Sequence, residues 1–335
     1  MGEKKRIIFM GSDAIALPTL SLLAQEKQVE LVAVFTQPDR PSGRGKRLRA
    51  NPIKEWSVLN GTQVREPERP GKPDAQWLSE QRVDIVIVMA YGHILSSALL
   101  QAAGGRFYNL HASLLPAYRG ASPVETALAE GESNTGVSLM RLVQKMDAGP
   151  LVDQELVAID PDDGGPSLRQ KLATACLPLL SRNFPDLLSG EVREEPQDDQ
   201  SATYCRLLRK DDGRLDFSKS AHLLARRVAA FRSWPGCFIE FGDLRIKVGF
   251  ARPNSQPVDA SPGTVLGERN GALSVATGDG SLELLELQRP GGKMLAAPDF
   301  LRGFPALLDA CMEIFPATPL VRKKLGFSTK NEKTD

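Results

Sequence analysis

The sequence predicts an α/β protein of two domains: a parallel sheet with helices on both faces over residues 1–190, then a smaller β-barrel over residues 209–318. Three observations predict it. Near the N-terminus, short apolar runs alternate with amphipathic helical stretches: Arg6 to Gly11, then Ile15 to Lys27, then Glu30 to Thr36. That βαβ rhythm calls for a parallel sheet. Val83 to Met89 is β-branched and apolar at nearly every position, as in a strand covered on both faces. Beyond the acidic, polar stretch Gly190 to Ser201 the rhythm changes to short strands separated by Pro and Gly clusters.

Bulk properties set the frame. The chain has 335 residues, enough for two domains, with 41% hydrophobic and 25% charged residues, the proportions of a water-soluble globular protein. Its formal net charge is +1, so any nucleic-acid site is local. Cys176, Cys205, Cys237 and Cys311 are widely spaced and form no C-x-x-C, which points to reduced core thiols in a cytoplasmic protein and away from a zinc site or a disulfide framework. The apolar run Ile7 to Met10 is too short for a signal sequence or a membrane span.

Gly11 to Ala16 follows the first strand but lacks G-x-G-x-x-G, so a dinucleotide site has weak support. From Gln37 to Arg49 the chain carries five basic residues, Arg40, Arg44, Lys46, Arg47 and Arg49, against one acid, Asp39. Two prolines and two glycines in that stretch predict an irregular loop. Most charge runs are solvated surface, but a cationic loop beside an α/β sheet also suits phosphate contact. Gly45-Lys46 is followed by Arg47, which excludes a P-loop. Asp74 to Gln81 reads as a helix, Ala121 to Glu130 as another, and Thr135 to Leu142 and Leu151 to Ile159 as strands. Ser167 to Leu188 reads as a helical region despite Pro178 and Pro185.

The stretch Asn109 to Gly120 organises the chain. It leaves a strand running from about Arg106 to Leu110, and side chains two apart in a strand share a face, so Asn109 and His111 point the same way. An amide donor beside an imidazole suits a reaction that builds charge on a carbonyl oxygen and moves a proton near neutral pH. An isolated N-x-H would mean little, because turn-forming asparagines and surface histidines are common. Here the whole stretch resembles the signature of the folate-dependent formyltransferases, N-x-H-x-S-L-L-P-x-x-R-G, and matches it throughout. The resemblance extends over nearly the whole chain and is strongest to the branch acting on initiator methionyl-tRNA.

The resemblance implies a Rossmann-like catalytic domain and an OB-like tRNA-binding domain, joined by a linker at 191–208 and followed by a basic tail, 319–335, expected to be disordered. It implies a monomeric, cytoplasmic enzyme that uses 10-formyltetrahydrofolate as formyl donor and no metal. It assigns catalysis to Asn109, His111 and Asp147, the last in a D-x-G three dozen residues after the histidine. It assigns folate contact to Tyr91, in A-Y-G, and to Ser113, Leu114, Leu115 and Pro116. It implies tRNA contact by Arg40, Arg44, Lys46 and Arg47; where relatives carry a tRNA-contacting lysine this chain has Leu207, a departure that leaves the contact either absent or moved to a nearby basic residue such as Arg206 or Lys210. Of the other histidines, His93 stands where a leucine is usual and His222 has no matching partners; both are expected to be bystanders. Phe231 to Gly236 resembles a further family motif, F-x-x-W-P-G.

In the second domain a helix, Ser220 to Phe231, precedes strands near Cys237–Phe241, Leu244–Phe250, Gly263–Leu266, Leu273–Thr277 and Ser281–Gln288. From Leu207 onward 19 basic minus 15 acidic residues leave +4, and the rest, 23 minus 26, carries −3, an asymmetry that points toward RNA. Formyltransferases acting on amino sugars or glycinamide ribonucleotide share the N-x-H and the aspartate but generally lack both the basic loop and this C-terminal region. A formyl-folate hydrolase is the other enzymatic alternative. Intact Asn109, His111 and Asp147 argue against a non-catalytic RNA- or folate-binding module.

Overall fold

The computed structural model of the chain describes residues 4–42, 45 and 47–323. It divides into two compact units. The first comprises Met1–Ala121, Asn134–Ala158 and Arg169–Tyr204; the second comprises Ser122–Ser133, Ile159–Leu168 and Cys205–Asp335. The two short excursions, Ser122–Ser133 and Ile159–Leu168, therefore fold with the later part of the chain. Of the tail assigned to disorder, residues 324–335 lie outside the described residues.

The first unit is built on a seven-stranded sheet: β1 (Lys5–Gly11), β2 (Val29–Phe35), β3 (Val64–Arg65), β4 (Ile85–Met89), β5 (Phe107–His111), β6 (Asn134–Arg141) and β7 (Leu151–Ala158), in the spatial order β7-β6-β5-β4-β1-β2-β3. β1 to β5 are mutually parallel. The sheet is thus mostly parallel, as expected, with two antiparallel pairings at one edge: β6 with β5, and β7 with β6. For β7 the reason is length: a parallel return needs a crossover of a dozen or more residues, and the connection between β6 and β7 is too short to hold one.

All five residues of β4 are buried, as the apolar run predicted. Each buried aliphatic side chain contributes about 1.5–3 kcal/mol. On one face of the sheet Ile8, Met10, Phe35, Val86, Val88 and Phe107 join Leu78 of the helix Lys72–Glu80 in a single core. The helix Gly165–Ser189 does contain Pro178 and Pro185, and it buries Leu172, Leu179, Leu180, Phe184 and Leu187. Cys176 on this helix is buried, and burial pushes its thiol up to about 12. Among the described residues no helix is long and apolar enough to cross a membrane.

The chain switches direction across the sheet at β1: β2 and β3 lie on one side of it and β4 on the other. In open α/β sheets the crevice at such a switch point, at the carboxyl ends of the strands, receives ligands. A polar network ties those ends together here. Ser12 Oγ donates to Tyr91 O at 3.1 Å and accepts from Gln37 N at 3.0 Å, and Gln37 Nε2 donates to Tyr91 O at 3.0 Å. Asn51 Nδ2 holds Gln37 O at 2.9 Å while its Oδ1 caps the helix Pro52–Leu59.

The stretch expected to be an irregular loop contains a short antiparallel hairpin, with Arg40 opposite Arg49, Pro41 opposite Leu48 and Ser42 opposite Arg47. Proline is tolerated there because both strands of a two-stranded hairpin are edge strands, in which alternate residues turn their backbone N–H away from the partner. Arg44 and Lys46 lie outside the described residues.

The second unit carries β8 (Cys237–Phe241), β9 (Leu244–Asn254), β10 (Val265–Arg269), β11 (Ala272–Ala276) and β12 (Ser281–Gln288), an antiparallel sheet in the order β8-β9-β12-β11-β10. The helix Ala221–Ala230, capped by Ser220, packs on β9.

Candidate active site

β5 delivers two of the three expected catalytic residues. Asn109 and His111 occupy its third and fifth positions, and hydrogen bonding fixes its register between β4 and β6. Among the described residues nothing hydrogen-bonds the half-buried Asn109 amide, so it stands as an open donor. His111 is 6% exposed, and both its ring nitrogens face defined groups. Nε2 lies 2.9 Å from Tyr118 O, and Nδ1 lies 3.8 Å from Asp147 Oδ2. A carbonyl can only accept, so Nε2 carries a proton. Protonating Nδ1 as well would give an imidazolium facing a carboxylate.

Asp147 has φ 48°, a left-handed conformation that Asp tolerates better than most residues. Its Oδ2 accepts the Gly120 N–H at 2.8 Å, which aims the carboxylate toward His111. Gly149 completes the D-x-G for a steric reason: a Cβ there would sit 1.8 Å from Arg141 O. Tyr118 also has a positive φ, 58°, and its N–H is held by Thr203 Oγ1 at 2.8 Å. That hydrogen bond steadies the carbonyl that receives His111.

The turn from Ser113 to Pro116 is closed by its own polar groups. Ser113 Oγ donates to Ala117 O at 2.7 Å, Ser138 Oγ donates to Ser113 O at 2.7 Å, and Leu115 N donates to Ser138 Oγ at 2.9 Å. Gln154 Nε2 donates to Leu115 O at 2.9 Å. The turn ends in a cis Leu115–Pro116 bond. Ser113 and Leu115 are buried, while Leu114 and Pro116 are half-exposed. A turn so closed is rigid and presents uncharged side chains.

Tyr91 is placed differently from a simple lining residue. Its ring is 2% exposed and belongs to the core, with Leu95 beside it; its hydroxyl is buried without a hydrogen-bond partner. Burial, and then the charge of Asp74, hold the phenol well above its ordinary range. His93 packs edge-on against it, 5.0 Å between centroids, and its Nε2 is also buried and unpartnered. Burial, and then the charge of Arg40, depress the His93 imidazole.

The basic residues separate into two groups. Arg40 is exposed and pairs with Glu68 at 2.8 Å; Arg47, Leu48 and Arg49 of the hairpin and Lys210 of the second unit are exposed. Arg206 is instead tied to Asp212 by two hydrogen bonds, at 2.7 and 2.5 Å, with both side chains nearly buried. Leu207 is 69% exposed.

Sequence reasoning missed a set of residues behind the site. Arg119 is fully buried, and its guanidinium is held by Gln197, Asp199 and the Tyr204 hydroxyl. Gln197 Nε2 in turn donates to the carbonyls of Asp147 and Gly149. Arg119 sits in the signature, but nothing in the acidic stretch around Gln197 marks it as part of a site.

Residues 5–182 match the family model described as formyl transferase, and residues 207–305 match the formyl transferase C-terminal domain. The chain belongs to the formyl transferase family. Among its relatives, the methionyl-tRNA formyltransferase of Myxococcus xanthus is 40% identical over 302 residues, 90% of this chain and 96% of that protein. That of Halorhodospira halophila is 39% identical over 298 residues, 89% and 96% of the two chains. In three dimensions the formyltransferase fold is shared with the N-formyltransferase from Helicobacter canadensis, solved with folinic acid and dTDP-3-aminofucose. Its TM-score is 0.64 at 16% identity, over 86% of this chain and all of that one.

Proposed function

We propose that this formyltransferase moves the formyl group of 10-formyltetrahydrofolate to the α-amino group of initiator methionyl-tRNA, working in the cytoplasm as a monomer. The observation that carries the reading is the correspondence with relatives named methionyl-tRNA formyltransferase, 40% identical over 90% of the chain.

The acceptor amine is itself the nucleophile, so no side chain need form a covalent bond to the formyl group. A bond forms from the amine nitrogen to the formyl carbon, and the bond from that carbon to the folate nitrogen breaks. The amine loses one proton and the departing nitrogen gains one. Asn109 donates its unpartnered amide N–H to the formyl oxygen as charge builds there, a contribution of about 3–4 kcal/mol in comparable sites. His111, held at Nε2 by Tyr118 O, moves a proton at Nδ1, and Asp147 stabilises its cationic form from 3.8 Å.

The fit of the formyl donor rests on the closed turn, whose polar groups are already paired and whose Leu114 and Pro116 remain half-exposed. Ser113, Leu114, Leu115 and Pro116 would hold it, with Tyr91 contributing through the backbone of the Ala90–Gly92 turn. For tRNA we assign Arg40, Arg44, Lys46, Arg47 and Lys210; Arg206 is committed to Asp212. The experiment is an acceptor comparison: labelled formyl donor with purified protein and either methionyl-tRNA, an amino-sugar nucleotide or water. Label should enter methionyl-tRNA at least 10³ times faster than either alternative, and preferred transfer to the sugar nucleotide or to water would refute the reading.

A further inference from the structure

The acidic connector that leaves the catalytic sheet is built into the site. Thr203 Oγ1 accepts the Tyr118 N–H at 2.8 Å, Thr203 O accepts the Arg119 N–H at 2.9 Å, and the Thr203 N–H donates to Pro116 O at 3.2 Å. Glu195 exchanges two backbone hydrogen bonds with Leu151, both at 2.8 Å. Between these anchors stands Gln197. Its Oε1 accepts from Arg119 Nε at 3.0 Å and from Arg119 Nη2 at 2.7 Å. Its Nε2 donates to Asp147 O at 2.9 Å and to Gly149 O at 2.7 Å. Arginine only donates and carbonyls only accept, so the amide has one permitted orientation.

The groups it joins are not arbitrary. On one side is the loop that carries the catalytic carboxylate, gripped at the carboxylate-bearing residue and again two residues later. On the other is Arg119, between Tyr118, whose carbonyl faces His111 Nε2, and Gly120, whose N–H holds Asp147 Oδ2. A single amide thus links the loop bearing Asp147 to the loop that orients His111. The buried Arg119 guanidinium is fixed further by Asp199 at 2.8 Å and Tyr204 Oη at 3.1 Å.

We propose that Gln197 is a positioning residue for formyl transfer: by clamping the Asp147–Gly149 backbone to Arg119, it sets the separation of the Asp147 carboxylate from the His111 imidazole. The inference rests on the reading of His111 and Asp147 as the catalytic pair. It gives the connector a task in catalysis besides that of joining two parts of the chain.

The test uses Gln197→Met in the full chain, which keeps the length and volume of the side chain and removes its hydrogen bonds. Turnover should fall roughly 10- to 100-fold, the usual consequence of a misplaced catalytic group, with KM for both substrates within about twofold of wild type. Because the effect runs through Asp147, the same substitution in an Asp147→Ala background should cost less than about twofold more. A purely structural role predicts losses that multiply.

The second readout needs no substrate. The chain has three histidines, so the ring-proton resonances of His111 can be assigned by substitution. In Gln197→Met they should move toward their positions in Asp147→Ala, while those of His93 and His222 stay. Multiplying losses, or unmoved His111 resonances, would overturn the proposal. If wild type fails to formylate methionyl-tRNA, the functional reading falls and the resonances alone decide the positioning. Should Gln197→Met not fold, Gln197→Glu serves with the same readouts: it keeps an acceptor for Arg119 and turns a carboxylate oxygen toward the two carbonyls.

Discussion

Replacing Asp147 by Asn isolates the charge of the carboxylate proposed to act in catalysis. Asn keeps the size of the side chain and tolerates the left-handed backbone at φ 48°, and its Oδ1 can still accept the Gly120 N–H. What disappears is a negative charge 3.8 Å from His111 Nδ1, with the two side chains 15% and 7% exposed. Two unit charges at that distance interact by about 4 kcal/mol at an effective dielectric constant of ~20. At 1.36 kcal/mol per decade the loss approaches a factor of about 10³ in turnover if the imidazolium forms fully at the barrier. The assay is formyl transfer to methionyl-tRNA, with folate affinity measured separately by equilibrium dialysis. The expected result is turnover lower by two to three decades, unchanged folate affinity and an altered pH profile. Turnover within tenfold of wild type, with the same pH profile, would reduce Asp147 to a turn-forming residue.

Three further outcomes follow from the same structure. Asn109→Ala removes the open amide donor and should lower turnover roughly 10²- to 10³-fold, as loss of one oxyanion donor does elsewhere; a loss under tenfold, measured at saturating substrates, refutes the role. Replacing Arg44, Lys46 and Arg47 together by Ala should flatten the log–log salt dependence of tRNA binding by about 0.7–0.9 for each phosphate no longer neutralised, and parallel lines would show that these residues touch no phosphate. Asp212→Asn breaks a nearly buried pair with Arg206 and should cost roughly 3 kcal/mol at neutral pH by urea unfolding. Burial opposes the Asp212 charge, but the hydrogen bonds from Arg206 and the Arg209 N–H and the nearby charges of Arg206 and Arg227 outweigh it, so the carboxyl titrates below its ordinary range. A carboxyl depressed in the folded state stabilises above its unfolded pKa of about 3.9, and that stability is lost as pH falls through the folded value. The gap between wild type and variant should therefore close below about pH 4, and a gap that is independent of pH refutes the assignment.

Much of the site was legible because its chemistry is local in sequence. Asn109, His111 and the turn through Gly120 are contiguous, and the two-residue period of a strand puts the amide and the imidazole on one side without any knowledge of the fold. Asp147 was reached only through resemblance, since an Asp before Ala-Gly is otherwise a turn. The β4 strand is legible from its run of apolar, β-branched residues, and all five of its positions are buried. The antiparallel pairing of β6 and β7 was also there to be read, in the shortness of their connection. The helix Pro52–Leu59 is marked in the sequence by an Asn N-cap and a Pro in its first turn. Gln197 was beyond reach: it acts on backbone carbonyls 48 to 50 residues away in sequence, and a residue that binds backbone imposes no pattern on the side chains around it.

The central claim, that Asn109, His111 and Asp147 transfer a formyl group to methionyl-tRNA, is tested most directly by a single turnover with His111→Ala. Wild type and variant are each saturated with labelled formyl donor and methionyl-tRNA, binding of both is verified, and formation of formyl-methionyl-tRNA is followed by rapid quench. The account predicts that the variant binds both substrates as wild type does and forms product roughly 10²- to 10³-fold more slowly, the contribution expected of a positioned proton-transfer group. Product formation at the wild-type rate would contradict it.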